Sequence, residues 1–344
     1  LFLLASQPVT AANLVKEQFY LCKIQTETSN LSSAKNGNMK TEKIYIVGSG
    51  AIGKALAVFL QHENKDVILI RGSIDDRSAT EDLITVTNQE NRQFRQKITT
   101  TTFSHLDTIN GIVLIAAKSF ANTRLAEKLK DKKGEFSIVL LQNGLNIEQP
   151  FASFDKVFRC VLFSTSQMVG ENNVTFKTVT ASLVGSMPGR NDNPDELVNQ
   201  ISTPHFDFKG DPNILRYVWE KAIINCAFNS ICPLLETDNG IFHRNAEAGN
   251  LAKTVIGECV ALAGTCGIEL SQREIEEKLL LISQRADGQL ISTYEDIRNK
   301  RRTEIESLNL EVARLAEEAG VPELVSHTRL LGKMIQIKST LNLA

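Results

Sequence analysis

The chain has 344 residues, 42% of them hydrophobic, and carries 38 Lys and Arg against 40 Asp and Glu for a formal net charge of -2. That length and apolar content suffice for a sizeable core and two domains. The near-balanced charge argues against a nucleic-acid partner held through its phosphates, and no apolar run reaches the roughly 20 residues that span a bilayer, so a soluble protein with no membrane partner is expected.

The chain opens on LFLLASQPVTAA, which has the apolar run and alanine pair of a signal-peptide tail but no initiating Met and no basic segment. A Ser/Thr/Asn/Gln-rich stretch, QTETSNLSSAKNGN, follows, and Met39 reads as the natural start. Residues 1–42 are therefore expected to be a disordered or non-native extension.

From Lys43 the pattern changes. KIYIVGSGAIGKALAVFL is an apolar, strand-like run that opens into Gly48, Gly50 and Gly53 and then into helix-patterned residues. Strand, G-x-G-x-x-G and helix in that order form the cradle of a dinucleotide pyrophosphate. The first glycine permits the tight turn, the second lets backbone approach the phosphates, and the third lets helix and strand pack closely, with the helix N-terminal amides facing the anion. Gly48, Ser49, Gly50, Ala51, Ile52 and Gly53 are the expected cofactor-binding loop.

The next strand, Asp66 to Ile70, ends at Arg71, where a carboxylate would grip the ribose hydroxyls of NAD. A guanidinium there suits a 2′-phosphate, which favours NADPH; in the alternative reading Arg71 is solvated and Asp75 or Asp76 meets the ribose. Strands over Ile112 to Ala116 and Ser137 to Leu141, with a helix from Ser119 to Lys130 between them, imply a parallel sheet. A β-rich piece from Cys160 to Val184, a linker MPGRNDNPDE and a short αβ stretch close a nucleotide-binding domain spanning residues 43–211.

Residues 212–344 read as all-α, with helices over Ile214 to Leu235, Ala246 to Cys266, Ser271 to Gln284, Thr303 to Ala319 and Leu324 to Ile337. A Rossmann domain followed by a helical domain places a substrate cleft between them. Lys221, Asn225 and Asn229, at i, i+4 and i+8, put an ammonium and two amides on one stripe of an otherwise apolar helix. A single lysine there would usually snorkel to solvent; two amides beside it favour a polar cleft lining. Ser292, Asp296 and Glu304 recur at multiples of four and are expected on one slowly drifting helical face, the alternative being a solvated helix whose acids pair with Arg298, Lys300, Arg301 or Arg302.

The six cysteines form no C-x-x-C pair and read as reduced. The five histidines have no metal-ligand spacing, so no metal is expected. With no credible secretion signal, these features point to the cytoplasm.

In order and spacing, GSGAIG, AAKSF with Lys118, LLQNG with Asn143, WEKAIINCAFN, DNG with Asn239, and STYEDIRNKRRTEI resemble the ketopantoate reductases (2-dehydropantoate 2-reductases), from about Lys43 to the C-terminus. The resemblance implies a 6-phosphogluconate-dehydrogenase-like pair of domains that moves hydride from NADPH to the C2 ketone of 2-dehydropantoate, giving pantoate for pantothenate and coenzyme A synthesis. It implies Lys221 as proton donor and Glu304 as an acid beside the reacting centre and the nicotinamide. It further implies Lys118 and Asn143 at the cofactor, and Asn143, Asn225, Asn229, Asn239 and Ser292 at the substrate.

The chain departs from the family pattern at STSQMVGENNVTFK, residues 164–177, and at Asn146, which replaces a common glycine. Open alternatives are a paralogue that reduces another branched 2-keto acid, an opine or polyol-phosphate dehydrogenase, and a non-catalytic NADP-binding regulator. Either a monomer or a homodimer is compatible with the sequence.

Overall fold

In Lys43–Val47 (β1) every residue after the first is buried, because the strand is covered on both faces. Ile44 and Ile46 enter one hydrophobic cluster and Tyr45 and Val47 another. The computed structural model describes residues 42–343 apart from Pro188 and Asn191, so the expectation for residues 1–41 lies outside the described residues.

The first cluster is roofed by Ala51–His62 (α1), whose Ala55 to Leu60 are wholly buried. The chain continues through Val67–Arg71 (β2), Thr80–Thr87 (β3), Gln93–Thr102 (β4) and Gly111–Ile115 (β5). Asn122–Lys130 (α2) then seals the second cluster with Leu125, Ala126 and Leu129. Phe136–Leu140 (β6), Val157–Val161 (β7), Ser164–Met168 (β8), Asn173–Thr178 (β9), Ser182–Ser186 (β10), Asp195–Ile201 (α3) and Phe208–Gly210 (β11) complete the α/β part.

The eleven strands form one sheet in the order β11-β10-β7-β6-β5-β1-β2-β4-β3-β9-β8. Its central run β4-β2-β1-β5-β6-β7 is entirely parallel. The strand order reverses between β1 and β5, and an open α/β sheet forms its ligand crevice at such a switch point, beyond the carboxyl ends of the strands. The β8–β9 hairpin leaves this run and adds to the sheet beyond β3, with β9 parallel to β3.

Helices take over at Ile214–Leu234 (α4), which is largely buried from Val218 to Pro233 because it packs among Ile241–Arg244 (α5), Ala246–Thr265 (α6), Gln272–Arg285 (α7), Ser292–Arg298 (α8), Asn309–Glu318 (α9) and Ser326–Leu343 (α10). Their core joins Ile223, Ala227 and Ile231 of α4 to Ile256 and Leu262 of α6 and Val312 of α9. The fold is thus an N-terminal Rossmann-type α/β domain followed by a helical domain. Among the described residues, no helix is long and apolar enough to cross a membrane.

Two expectations are corrected here. The helix expected over Thr303 to Ala319 is a 3-10 turn, Ile305–Ser307, followed by α9. Ser292, Asp296 and Glu304 do not share a helical face either: α8 stops at Arg298, and Lys300 takes a left-handed φ of 51°. The Arg301 N–H donates back to the Asp296 carbonyl at 2.8 Å, which closes the helix, and Glu304 lies beyond it, immediately before the 3-10 turn.

Candidate active site

The glycine loop is built as its spacing requires. Gly48 has φ 118°, and a Cβ there would lie 2.6 Å from the Ala117 amide nitrogen, while a Cβ on Gly53 would lie 1.9 Å from the Gly48 carbonyl oxygen. At Gly50, by contrast, a Cβ would meet nothing within 4 Å. Two glycines therefore let backbone pack on backbone, and the middle one faces open space at the N-terminus of α1. No side chain caps that helix, so its first-turn amides remain available to an anion. These residues fit a dinucleotide pyrophosphate. Gly48→Ala is expected to cost about 1–3 kcal/mol in backbone strain alone, read as a lower denaturant midpoint together with weakened dinucleotide binding.

The loop opens onto a cleft of about 1530 Å³ that runs between the sheet and the helices. This exceeds the roughly 300–1,000 Å³ of a pocket for a drug-sized ligand, leaving room for a dinucleotide and a second small molecule. Gly48 to Ile52, Lys118, Asn143, Lys221, Asn225, Asn239, Ser292 and Glu304 all line it. The segment 164–177 forms part of its wall: Lys54 of α1 donates to Asn172 Oδ1 at 2.9 Å, and Gln167 donates to Glu295 Oε1 of α8 at 3.0 Å.

At the meeting of the two domains, Lys118 Nζ donates to Asp296 Oδ2 at 2.9 Å and to Glu304 Oε2 at 3.1 Å, and the Ser119 N–H donates to Glu304 Oε1 at 3.0 Å. Asp296 also accepts from Arg301 Nε at 2.9 Å. Burial works against the charge on Lys118, but Glu304 and Asp296 outweigh it and hold its pKa above the ordinary lysine value. Lys118 and Glu304 thus form a fixed ion pair across the cleft.

Lys221, one helix turn from Asn225, donates to the Leu162 carbonyl at 2.6 Å. Burial drives its pKa down to about 8; Arg159 pushes the same way, against Cys160 and Glu304. Burial pushes the Cys160 thiol up to about 12, so Cys160 stays neutral at physiological pH. An ammonium with a pKa near 8 is charged at neutral pH yet releases its proton far more readily than a solvated lysine.

Not every expected residue reaches the cleft surface. Asn229 is 2% exposed and lies beneath it: its Oδ1 accepts from Ser292 Oγ and the Thr293 N–H, both at 3.4 Å, and its Nδ2 donates to the Asn225 carbonyl at 3.0 Å. It braces the N-terminus of α8, and with it Ser292. Arg71 is the last residue of β2, and its guanidinium lies along the neighbouring strands, donating to Thr80 Oγ1 at 2.6 Å and Asp82 Oδ2 at 3.4 Å. It does not line the cleft. Arg124 of α2 does, donating to the Ser73 carbonyl at 3.3 Å and Asp75 Oδ2 at 3.0 Å with its side chain 53% exposed.

Sequence reasoning also passed over Ser164 as a candidate. Its Oγ and Asn239 Oδ1 are buried without a hydrogen-bond partner, and both residues line the cleft. Polar atoms in that state are positions where a ligand or a water completes the bonding.

A sheet with a parallel central run and a glycine-loop cradle at its switch point, facing a helical domain across a cleft that holds a lysine of lowered pKa, defines the dinucleotide-binding, two-domain class. Comparison with known proteins narrows the class: residues 44–189 match the family described as Ketopantoate reductase PanE/ApbA, and residues 213–338 match Ketopantoate reductase PanE/ApbA C terminal. The chain belongs to the ketopantoate reductase family of oxidoreductases.

A 2-dehydropantoate 2-reductase of Streptococcus pyogenes serotype M6 is 25% identical over 305 residues, covering 86% of this chain and 97% of that protein. Among solved structures, D-mandelate dehydrogenase with NADH and anilino(oxo)acetate superposes with a TM-score of 0.75 at 20% identity, covering 87% of this chain and 99% of that one. Dimeric ketopantoate reductase from Staphylococcus aureus gives 0.73 at 21% identity with the same coverage. These structural likenesses establish the fold.

Proposed function

We propose that the protein is an NADPH-dependent 2-dehydropantoate 2-reductase that forms pantoate in the cytoplasm for pantothenate and coenzyme A synthesis, with 2-dehydropantoate as its small-molecule partner. The observation that carries this reading is the convergence of Lys221, Asn225, Asn239, Ser292 and Glu304 on one cleft with the glycine loop and Asn143. When bound, the nicotinamide supplies hydride to the ketone carbon. The chain's own residues do the rest. Gly48 to Gly53 and Asn143 hold the dinucleotide, with Lys118 beside them, and Ser292 takes the substrate carboxylate. The amides of Asn225 and Asn239 take its remaining polar groups, while Asn229 acts from beneath by fixing Ser292. Lys221 stabilises the developing alkoxide and delivers a proton to it. Glu304, anchored by Lys118 and the Ser119 amide, keeps the carboxylate edge of the site in place.

The first test is oxidation of NADPH by the purified protein with 2-dehydropantoate, followed by loss of reduced-nicotinamide absorbance, with NADH and other 2-keto acids in parallel. Selective turnover of 2-dehydropantoate supports the reading. Turnover of a different keto acid keeps the mechanism and replaces the substrate, and NADPH binding without any turnover identifies a regulator. A second substrate reading has its own support: apolar Phe163, Ile282 and Ile291 line the cleft beside the altered segment 164–177, a lining suited to a bulkier 2-keto acid.

The preference for NADPH rests on Arg124, because its half-exposed side chain lines the cleft, whereas Arg71 is largely buried against Thr80 and Asp82 and does not line it. Arg124→Ala is expected to weaken NADPH binding about tenfold or more while leaving NADH nearly unchanged, the loss of one charge-assisted contact. Arg71→Ala should leave the preference intact. Fluorescence titration of both dinucleotides against both variants checks this, and a preference that moves with Arg71 would return the 2′-phosphate to that residue.

A further inference from the structure

The segment 164–177 departs from the family pattern, and it folds into a cleft wall whose two faces differ in chemistry. Val174 and Phe176 of β9 are buried in the cluster under α1, where the rings of Phe59 and Phe176 meet edge to face at 5.2 Å. Side chains alternate along a strand, so this burial commits Thr175 and Lys177 to the opposite face. Their partners across the β8–β9 hairpin are Gln167 and Thr165, and all four residues line the cleft. The buried Lys54 of α1 secures the turn of the hairpin by donating to the Glu171 carbonyl and to Asn172 Oδ1.

We infer that this wall carries a subsite for a second carboxylate, so that the protein reduces 2-oxo dicarboxylic acids as well as 2-dehydropantoate, with Lys177 holding the distal carboxylate. The inference rests on the roles given above to Lys221 and Ser292. Among the described residues, four cationic side chains line the cleft. Lys118 is paired with Asp296 and Glu304, Arg124 is paired with Asp75, and Lys221 serves the ketone. Lys177 remains, exposed and, among the described residues, without a carboxylate partner. Glu295, the acid on the facing wall, is bound to Gln167, two residues and about 7 Å along β8 from Thr165. The reach fits a short diacid. Leu162, whose carbonyl holds Lys221, and Thr165, which lies beside Lys177, are three residues apart and so at most about 11 Å. Phe163, Val179 and Ile282 give the cleft apolar lining suited to the methylenes between two carboxylates. A monocarboxylate leaves the Lys177 ammonium facing the end of an apolar chain, whereas a second carboxylate gains a charge-assisted hydrogen bond from it. The chemistry is that already assigned. The ketone carbon takes the hydride supplied by reduced nicotinamide, the C=O π bond opens, and the oxygen takes the Lys221 proton, leaving the 2-hydroxy diacid and oxidised nicotinamide.

Initial rates of reduced-nicotinamide oxidation by the full chain test this, with 2-oxoadipate set against 2-oxohexanoate, a monocarboxylate of equal chain length, and with 2-dehydropantoate alongside. The unaltered protein is expected to favour 2-oxoadipate over 2-oxohexanoate in kcat/KM by about 10–100-fold, the effect of one charge-assisted contact. Lys177→Met should abolish that preference, Lys177→Glu should invert it, and Lys177→Arg should keep most of it. The preference should also shrink as salt is raised, because the contact lies at the edge of solvent, and a purely structural role for Lys177 would not produce that dependence. Lys177 is exposed, so the variants are expected to fold, as far-ultraviolet circular dichroism checks. Turnover of 2-dehydropantoate with no preference for 2-oxoadipate, or a preference that survives Lys177→Glu, would overturn this inference and leave the reductase reading standing. No turnover of any keto acid would remove both. A dinucleotide dissociation constant that rises in Lys177→Met in proportion to the lost turnover would assign the ammonium to a cofactor phosphate, and that too would overturn the inference.

Discussion

Lys221→Met is expected to lower turnover by about 10²–10⁴-fold, the range for removing a positioned proton donor, while the dissociation constant of the dinucleotide stays within about twofold. The asymmetry follows from position. Lys221 projects from α4 and is held by the Leu162 carbonyl at 2.6 Å, whereas the pyrophosphate cradle is backbone at the far end of β1. Since burial brings the Lys221 pKa down to about 8, reduction by the unaltered protein should be fast below that pH and fall as pH rises through it, when the ammonium loses the proton it must deliver. The same shift acts on stability with a definite sign. The unfolded chain keeps its proton up to the ordinary value of 10.5 and the folded chain only to about 8, so the lysine's contribution to stability rises with pH between those values. Lys221→Met should abolish that rise and flatten the alkaline limb of the rate profile. Dinucleotide affinity that falls in proportion to turnover would remove the proton-donor role.

What the sequence disclosed and what it concealed divide along the reach of the interactions. The glycine loop was legible because strand, turn and helix are contiguous and each glycine has a local reason. The stripe of Lys221 and Asn225 was legible because a helix's period is fixed. Asn229 shares that stripe, yet its depth was not readable: azimuth on a helix says nothing of what covers it, and α8 covers Asn229. Glu304 lies off the helical face that its spacing predicts, because the left-handed backbone of Lys300 ends the run before it. Arg71 stands where the strand-end rule puts a cofactor contact, and only the pairing of β3 with β4 shows that Thr80 and Asp82 reach it first. Of the two partners of Asp296, Arg301 was readable as a near neighbour in the chain, whereas Lys118 was not, because it lies 178 residues away.

Arg159→Met is expected to be the most destabilising of these substitutions, by about 3–5 kcal/mol, the usual cost of breaking a buried ion pair from one side. Arg159 is 2% exposed in β7, an arginine on a strand that is otherwise apolar. It donates to Glu148 Oε2 at 2.5 Å and to the Gly144 carbonyl at 2.9 Å. The second bond ties the turn after β6, which carries Asn143 into the cleft, to the strand that leads to Leu162, the residue holding Lys221. Removing the guanidinium strands the Glu148 carboxylate, and Glu148→Gln added to Arg159→Met should recover part of the loss in a denaturant melt. The effect on chemistry has its own sign. Arg159 is the cation that adds to burial in lowering the Lys221 pKa, so without it the ammonium is favoured and the alkaline fall in turnover should move to higher pH. A substitution that only loosened packing would reduce stability and leave that limb where it was. The pH–rate profile of the folded variant therefore separates an electrostatic role at Lys221 from a purely structural one.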